Sequence, residues 1–342
     1  MKIAIIGAGV LGRLIALRLT EQPHQVTLID RQPLHQPDNA AWVSAGMLCP
    51  LGEIIHAPRE VVQMGWHSLS LWPDILAGLS DEADVYFQQN GSWVVAFDQD
   101  RQCFAQWQQQ FLNNPHVSAD QVAWLQSEAV HNQEPALSGF RQAALLKAEG
   151  QLCNRSFILA SADKLRRQAT IVEQDVTRAH LDDLQTHFDW VIDCRGAGAI
   201  GSDWPESSVD LRGVRGEVIR VRCNEVTLQR PVRVLHPQAS IYIVPKPNHE
   251  FVVGATEIES HSEHPITVQS TLELLSTLYC VHPGFAEASI LEARVGIRSA
   301  YADNQPKVSQ HDNLIQVNGA YRHGWLTGPA LAEQTLRRLE VA

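Results

Sequence analysis

The sequence IAIIGAGVLG, which occupies residues 3–12, decides the fold of this chain. Its first four residues are apolar and partly β-branched, as expected of a parallel strand that is buried on both faces. Residues 13–19 continue as a helical stretch, residues 26–29 form a second apolar run, and Asp30 follows directly. The order of strand, G-x-G-x-x-G turn, helix, strand and acid predicts a Rossmann-like α/β unit that binds a dinucleotide.

Each glycine of the G-x-G-x-x-G turn has a mechanical role in such a unit. Gly7 makes the tight turn, Gly9 lets the backbone approach a pyrophosphate, and Gly12 permits close packing of helix and strand. The helix that follows presents free N–H groups and a partial positive charge to the diphosphate. Asp30 is placed to accept hydrogen bonds from the ribose hydroxyls. Because Arg31 lies beside it, a cofactor with a 2′-phosphate is not excluded. The fingerprint does not separate NAD from FAD, because both cofactors share the adenosine diphosphate half.

The sequence after the second strand favours FAD. An NAD-dependent dehydrogenase would continue with regular βα units, whereas residues 37–48 form a polar loop with small residues at 44–46. Small residues let the chain pass close to a flat ring or a phosphate. Residues 190–198 then read as a buried strand that ends in a glycine turn. Residues 314–319 read as a strand that enters a turn, followed by a helix from about Pro329.

Composition and charge exclude several classes of function. The chain has 342 residues, 44% of them apolar and 19% charged, which suits one large or two joined globular domains. The net charge of −11, without a basic cluster, argues against nucleic acid or an anionic membrane as partner. Six separated cysteines without a C-x-x-C pair predict neither a disulfide framework nor a metal site. The apolar N-terminal stretch is too short to span a membrane and lacks the features of a signal peptide, so we expect a cytoplasmic protein.

Six further segments form a pattern when they are taken together. They are residues 44–48 with Glu53, 211–217, 241–245, 253–256, 295–298 and 321–326. In this order they resemble the D-amino acid oxidase superfamily of flavoenzymes, and its glycine oxidase branch most of all. The resemblance implies a Rossmann-like FAD-binding domain made of residues 1–82, 140–212 and 292–342. A smaller antiparallel α+β substrate domain would take residues 83–139 and 213–291.

The resemblance also implies which residues hold FAD. They are Gly7, Gly9, Val10, Leu11, Gly12, Asp30, Arg31, Ser44, Ala45, Gly46, Met47, Leu48, Val176, Gly196, Arg322, His323, Gly324, Trp325, Leu326 and Thr327. Some relatives tether the flavin through a histidine in a Trp-His-x-x-Gly arrangement, whereas this chain has Val43 at that position. Because valine has no nucleophile, we expect FAD to be bound without a covalent link.

The reaction that the resemblance implies is oxidation of the carbon–nitrogen bond of a small amino acid or secondary amine, with hydride transfer to flavin N5. Arg298 is the candidate for binding the substrate carboxylate, since a planar guanidinium bonds both oxygens at once. Tyr242 and Arg322 are the other candidate catalytic residues. No side chain is needed as a base if the amine binds neutral, so His56 and His323 are left out of that set. Oxygen is the expected acceptor, which gives hydrogen peroxide and an imino product.

Four positions depart from the family pattern, and they cluster around the expected active site. Ser299 replaces a proline, Ala320 a histidine, His323 an asparagine and Trp325 a smaller aliphatic residue. The sequence leaves the substrate, the electron acceptor and a homo-oligomeric state open. The alternatives are a quinone-linked D-amino acid dehydrogenase of the same superfamily, an NAD(P)-dependent dehydrogenase, and a flavin-binding module with little turnover.

Overall fold

The computed structural model describes residues 1–202, 204, 210–237 and 240–340. Strands β1 to β18 are Lys2–Ile6, Gln25–Asp30, Met47–Leu48, Phe87–Gln88, Ser92–Ala96, Val122–Gln126, Gln142–Leu146, Gly150–Leu152, Thr170–Glu173, Trp190–Asp193, Arg212–Arg222, Val232–Leu235, Ile241–Lys246, Glu250–Gly254, Ile258–Glu259, Ser289–Ala300, Lys307–His311 and Leu314–Asn318. Helices α1 to α10 are Val10–Thr20, Ala40–Val43, Pro50–Glu53, Arg59–Ala77, Arg101–Leu112, Ser127–Gln133, Asn154–Gln168, Arg178–His187, Val268–Val281 and Gly324–Glu340. Across these described residues, no helix is both long and apolar enough to cross a membrane.

A six-stranded sheet holds the glycine-rich turn. Its strand order is β17-β18-β10-β1-β2-β9, and neighbouring strands are parallel except for the edge pair β17 and β18. Both faces of β1 are buried: Ile3 and Ile5 share a core with α1, whereas Ala4 and Ile6 share one with α8. The predicted Rossmann-like unit is confirmed. The turn after β1 lies where the strand order reverses, which is the place where open α/β sheets bind ligands.

The glycine-rich turn is packed too tightly for any larger residue at two of its positions. Gly7 has a φ of +97°, and a Cβ there would lie 2.5 Å from the carbonyl oxygen of Cys194. A Cβ at Gly12 would lie 1.8 Å from the carbonyl oxygen of Gly7. These close approaches hold the start of α1 directly against the ends of β1 and β10.

A nine-stranded mixed sheet forms the second half of the molecule. Its order is β15-β11-β14-β13-β12-β5-β7-β6, and β16 pairs with β11. Along β5, Trp93 and Val95 face the core that contains α9, whereas Val94 and Ala96 face the core that contains α5. A small sheet of order β3-β8-β4 carries the segment that follows the polar loop. Lys246, at the end of β13, donates to the carbonyl of Leu152 in β8 at 2.7 Å and thereby joins the large sheet to the small one.

The two large sheets are built from interleaved stretches of chain, in line with the expected fold class. We propose that the domain division follows the sheets. On that basis β7 and β16 belong to the substrate side, although the expected boundaries give residues 140–212 and 292–342 to the FAD-binding domain. Residues 203, 205–209 and 341–342 of the expected FAD-binding ranges, and 238–239 of the substrate range, lie outside the described residues.

The last helix begins earlier than the sequence predicts. Proline lacks the N–H that a helix interior needs, which favours a helix start at about Pro329. In the structure α10 begins at Gly324 and continues through the proline. The carbonyl of Trp325, which the missing N–H would have satisfied, accepts a hydrogen bond from the indole of Trp72 at 3.3 Å. This tertiary contact lets the first turn of α10 lie beside Val10, at the start of α1.

The packing of the turn predicts different outcomes for two alanine substitutions. Gly12→Ala should lower the free energy of unfolding by about 2 kcal/mol or more, because the new methyl group overlaps the Gly7 carbonyl. Gly9→Ala is the matched control, since a Cβ there meets no atom within 4 Å, and it should cost about 1 kcal/mol at most. Urea denaturation of both variants measures the difference. An equal loss in the free energy of unfolding for Gly12→Ala and Gly9→Ala would contradict this packing.

Candidate active site

A cavity of about 1540 Å³ is lined by residues of both large sheets. The glycine-rich turn and Asp30 lie in its wall, and so do Tyr242, Arg298 and Arg322. Pockets for drug-sized ligands measure roughly 300–1,000 Å³. A cavity of this size therefore suits a dinucleotide together with a small substrate.

Two helices begin at the wall of this cavity. Gly9 precedes α1 and Gly324 begins α10, and neither helix has an acidic residue in its first turn. A Cβ at Gly9 would meet no atom within 4 Å, so the backbone there faces open space. Free N–H groups and the partial positive charge of a helix N-terminus attract anions. This part of the cavity fits the pyrophosphate of a dinucleotide.

Asp30 both shapes the glycine-rich turn and faces the cavity. Its Oδ2 accepts from the N–H of Ala8 at 2.5 Å, and its Oδ1 accepts from the N–H of Gln32 at 2.8 Å. Each carboxylate oxygen retains a further acceptor site, which a ribose hydroxyl can use. Arg31 and Val176 line the same region, as expected.

The loop after α2 lines the cavity with residues 44–47. Gly46 has a φ of +65°, and a Cβ there would lie 2.4 Å from the carbonyl oxygen of Leu152. Ser44 accepts a hydrogen bond from the indole of Trp325 at 2.7 Å. Trp325, one of the departures from the family pattern, thus ties the start of α10 to this loop. At Gly46 this wall is backed closely by the backbone of β8.

Most of the residues expected to hold FAD share this cavity wall. They are Gly7, Gly9, Val10, Leu11, Asp30, Arg31, Ser44, Ala45, Gly46, Met47, Val176, Gly196, Arg322, His323, Gly324, Trp325 and Leu326. Gly12, Leu48 and Thr327 are not part of it. Gly12 packs beneath the turn, Leu48 is buried in β3, and the N–H of Thr327 donates to the carbonyl of His323 at 2.8 Å.

A cluster of charged side chains lies around Glu53. Its Oε1 accepts from Arg233 at 2.7 Å and its Oε2 accepts from Arg322 at 2.7 Å. Arg322 also donates to Glu257 at 3.1 Å. Together with Arg298, these residues form what we call the arginine–glutamate cluster: Glu53, Arg233, Glu257, Arg298 and Arg322. All five residues line the cavity.

Arg298 differs from the other arginines of the cluster in its partners. Its Nη1 donates to the carbonyl oxygens of Thr256 at 3.1 Å and Arg215 at 3.5 Å. Within the described part of the chain, no carboxylate lies within 4.0 Å of its guanidinium. Two backbone carbonyls therefore orient Arg298, while its charge stays without a counter-ion. Such a group is suited to bind the carboxylate of a ligand.

Burial and the charges of the cluster set the protonation of Glu53 and of two histidines near it. Burial alone would raise the pKa of Glu53, but Arg233 and Arg322 outweigh that effect and hold the pKa well below its usual range. Burial lowers the pKa of His323 to about 4, against the opposing charge of Glu53. Burial also lowers the pKa of His56. Both histidines are therefore neutral at pH 7, and Glu53 is ionised.

Tyr242 lies on β13 next to the cluster. It is opposite Arg233 of β12 in the register of the sheet and faces the cavity. Burial raises the pKa of its hydroxyl, so Tyr242 stays protonated and able to donate a hydrogen bond. Ser299 and Ala320, two of the departures, also line the cavity, and the hydroxyl of Ser299 bonds to Asn318 at 2.6 Å.

Sequence reasoning did not identify Arg233 and Glu257 as site residues. Arg233 lies in a strand without a motif, and it reaches Glu53 only because β12 pairs beside β13. Glu257 follows the 253–256 segment of the family pattern, which is the nearest signal that the sequence offers. Glu53 was named beside the flavin-contacting loop, but its two arginine partners were not.

Comparison with known proteins agrees with this geometry. The model of the family described as FAD dependent oxidoreductase matches residues 2–338. A putative thiamine biosynthesis oxidoreductase, ThiO, of Rhizobium etli is 36% identical over 340 residues, which cover 99% of this chain and 96% of that protein. The glycine oxidase of Geobacillus kaustophilus is 24% identical over 347 residues, covering 96% of this chain and 89% of the relative. Its crystal structure superposes with a TM-score of 0.82 at 22% identity, over 99% of this chain and 94% of that one.

The burial of His323 predicts a pH dependence of stability. Its pKa is about 4 in the folded chain, against 6.5 for an ordinary histidine. Below pH 6.5 the unfolded chain binds the proton more readily, so stability should fall as the pH drops towards 4, by at most about 3 kcal/mol. His323→Asn should flatten this part of the curve, whereas His131→Asn, at an exposed site on α6, should not.

Chemical denaturation between pH 4.5 and 7, with the same FAD concentration throughout, measures this effect. If the free energy of unfolding depends on pH in the same way in the original chain and in the His323→Asn variant, His323 is not the cause of the pH dependence.

Proposed function

This chain belongs to the FAD-dependent oxidoreductase family, and we propose that it oxidises the carbon–nitrogen bond of a small amino acid or secondary amine. The observation that carries the proposal is the guanidinium of Arg298, which faces the cavity and has no carboxylate partner among the residues that the structure describes. The names of the relatives support a small substrate, since one is a glycine oxidase and another a thiamine biosynthesis oxidoreductase.

In this proposal the chain's own residues bind and orient the substrate. The carboxylate lies against Arg298, where a planar guanidinium can bond both oxygens. The hydroxyl of Tyr242, protonated and inside the cavity, donates a further hydrogen bond to the same group. FAD, when bound, supplies the site that accepts the hydride. The residues hold the reacting carbon at a fixed position and exclude water, and positioning of this kind accounts for much of enzymatic rate enhancement.

No protein base is required in this proposal. His56 and His323 are both neutral at pH 7. His323 is buried and lies 4.0 Å from Glu53, so we assign it a structural role. A substrate amine that binds in its neutral form has a lone pair that drives loss of the hydride. The carbon–nitrogen bond then becomes an imine. We propose oxygen as the electron acceptor, which yields hydrogen peroxide.

Two other functions are alternatives to the proposed oxidase, and they predict different half-reactions. A quinone-linked D-amino acid dehydrogenase would show reduction of FAD by amino acids but slow reoxidation by oxygen. A flavin-binding module would show no reduction of FAD by any amino acid. Measuring the two half-reactions separately distinguishes these from the proposed oxidase.

We also propose that FAD is bound without a covalent link. The side chains of Val43 and Ala45 in the loop along the cavity have no nucleophile, whereas Cys49, Cys194, His56 and His323 line the cavity and do. Acid precipitation of the purified protein should leave the yellow colour in the supernatant. Colour that stays in the pellet would refute the proposal, and peptide mapping would then show which side chain is attached.

The carboxylate-binding role of Arg298 gives the second test. Arg298→Ala should lower kcat/KM for amino acids by about 2–5 kcal/mol in transition-state free energy. Arg298→Lys should recover only part of this, since an ammonium keeps the charge but loses the two-pronged geometry. The control is Arg294→Ala, on the same strand and in the same cavity wall, because Arg294 already pairs with Glu292 at 3.3 Å.

Steady-state kinetics with amino acids, and with amines that lack a carboxylate, measure the effect. FAD content should be retained in all three variants. An equal decline for amino acids and simple amines would contradict the carboxylate role, and so would an equal decline in Arg298→Ala and Arg294→Ala.

A further inference from the structure

Three guanidinium groups of the arginine–glutamate cluster line the cavity, and among the described residues only those of Arg233 and Arg322 have a carboxylate partner. Arg298 bonds to backbone carbonyls and keeps its charge unneutralised. Arg322 has a carboxylate on each side: its Nη2 donates to Glu53 at 2.7 Å and its Nη1 donates to Glu257 at 3.1 Å. Both prongs of the Arg322 guanidinium are therefore occupied within the protein.

The two carboxylates that hold Arg322 differ in burial. The side chain of Glu53 is 10% exposed and is also paired with Arg233, so it is fixed in place. The side chain of Glu257 is 51% exposed and lies at the cavity wall. Glu257 is thus the partner whose removal would free one prong of Arg322 without leaving a buried charge alone.

Glu257 also lies beside the proposed carboxylate site. One of the two carbonyls that accept from Arg298 belongs to Thr256, the residue immediately before Glu257. Burial raises the pKa of Tyr321, and a hydrogen bond from its hydroxyl to Glu257 raises it further. Glu257 therefore pairs with Arg322 and directly follows the residue whose carbonyl orients Arg298.

The net charge of the arginine–glutamate cluster is such that one bound anion would neutralise it. Three guanidinium groups face two carboxylates, and the neighbouring histidines are neutral at pH 7. The cluster thus carries a single excess positive charge, which one substrate carboxylate neutralises. A second carboxylate would have to displace Glu257 from Arg322 or lie beside it as a like charge, and both are unfavourable.

We infer that Glu257 is a specificity-determining residue, which makes the site selective for substrates with one carboxylate by occupying the guanidinium of Arg322. This inference rests on the proposed function in assigning the first carboxylate to Arg298. It adds that the chain contains a second, masked carboxylate site at Arg322. Removal of the Glu257 charge unmasks that site for a dicarboxylate.

The test compares Glu257→Gln with the original FAD-loaded protein on two secondary amines. Sarcosine has one carboxylate and iminodiacetate has two. The variant should raise the ratio of kcat/KM for iminodiacetate to that for sarcosine by roughly fivefold or more, as expected of a partly exposed ion pair. The change should appear mainly in KM, because it concerns binding of a group remote from the reacting carbon.

Glu263→Gln is the matched control. Glu263 is exposed, lines the same cavity and makes no ion pair within the described part of the chain, so its removal changes the net charge equally. It should leave the substrate ratio unchanged. A ratio that stays constant in Glu257→Gln, or that shifts as much in Glu263→Gln, overturns the inference.

A binding measurement separates this inference from the proposed function. Glycolate and malonate, with one and two carboxylates, are not amines, and their dissociation constants follow from changes in the FAD absorption spectrum. Glu257→Gln should strengthen the binding of malonate relative to that of glycolate, by a factor similar to the change in the kcat/KM ratio. This holds whether or not the protein turns over any amine. If no amine reduces FAD but this shift appears, the proposed reaction fails and Glu257 keeps its role. If amines reduce FAD but the shift is absent, only the inference about Glu257 fails.

Discussion

The carboxylate of Glu53 lies between the guanidinium groups of Arg233 and Arg322, and the reactive end of the cavity depends on this arrangement. An ionised carboxylate is costly to bury unless opposite charges and hydrogen bonds replace the lost water. Here two arginines from distant parts of the chain meet that need. They join α3 to a strand of the large sheet and to the loop before α10. Removing Glu53 would leave the guanidinium groups of Arg233 and Arg322 without the carboxylate that they share.

The same principle separates the arginines of the molecule by role. Arg13 is buried, and its donors go to the carbonyls of Ala8 and Leu34, at 2.8 Å and 2.6 Å, so it supports the glycine-rich turn. Arg215 is paired with Glu217 and packs behind the cavity wall. Arg298 alone in the arginine–glutamate cluster is held by carbonyls yet faces the cavity. An anionic ligand binds most favourably at a cation that the protein orients but does not neutralise.

Much of the fold could be predicted from local sequence, because its determinants are local. Two short apolar runs and the spacing of three glycines predicted β1, α1 and β2, with ends within a few residues of those observed. The start of α10 was wrong, since the hydrogen bond from Trp72 that compensates Pro329 comes from a helix far away in the sequence. For the same reason Arg233 and Glu257 could not be identified. Their positions follow from strand pairing and from a contact with Arg322, neither of which leaves a short motif.

Anaerobic mixing of the FAD-loaded protein with glycine, sarcosine, D-alanine and D-proline tests the central claim most directly. The claim is that the cavity places an amino acid against FAD by its carboxylate. The blue absorption band of FAD should bleach with at least one of these amino acids, and much more slowly with methylamine, which has the nitrogen but no carboxylate. Absence of bleaching with every amino acid, or equal bleaching with methylamine, would contradict the account.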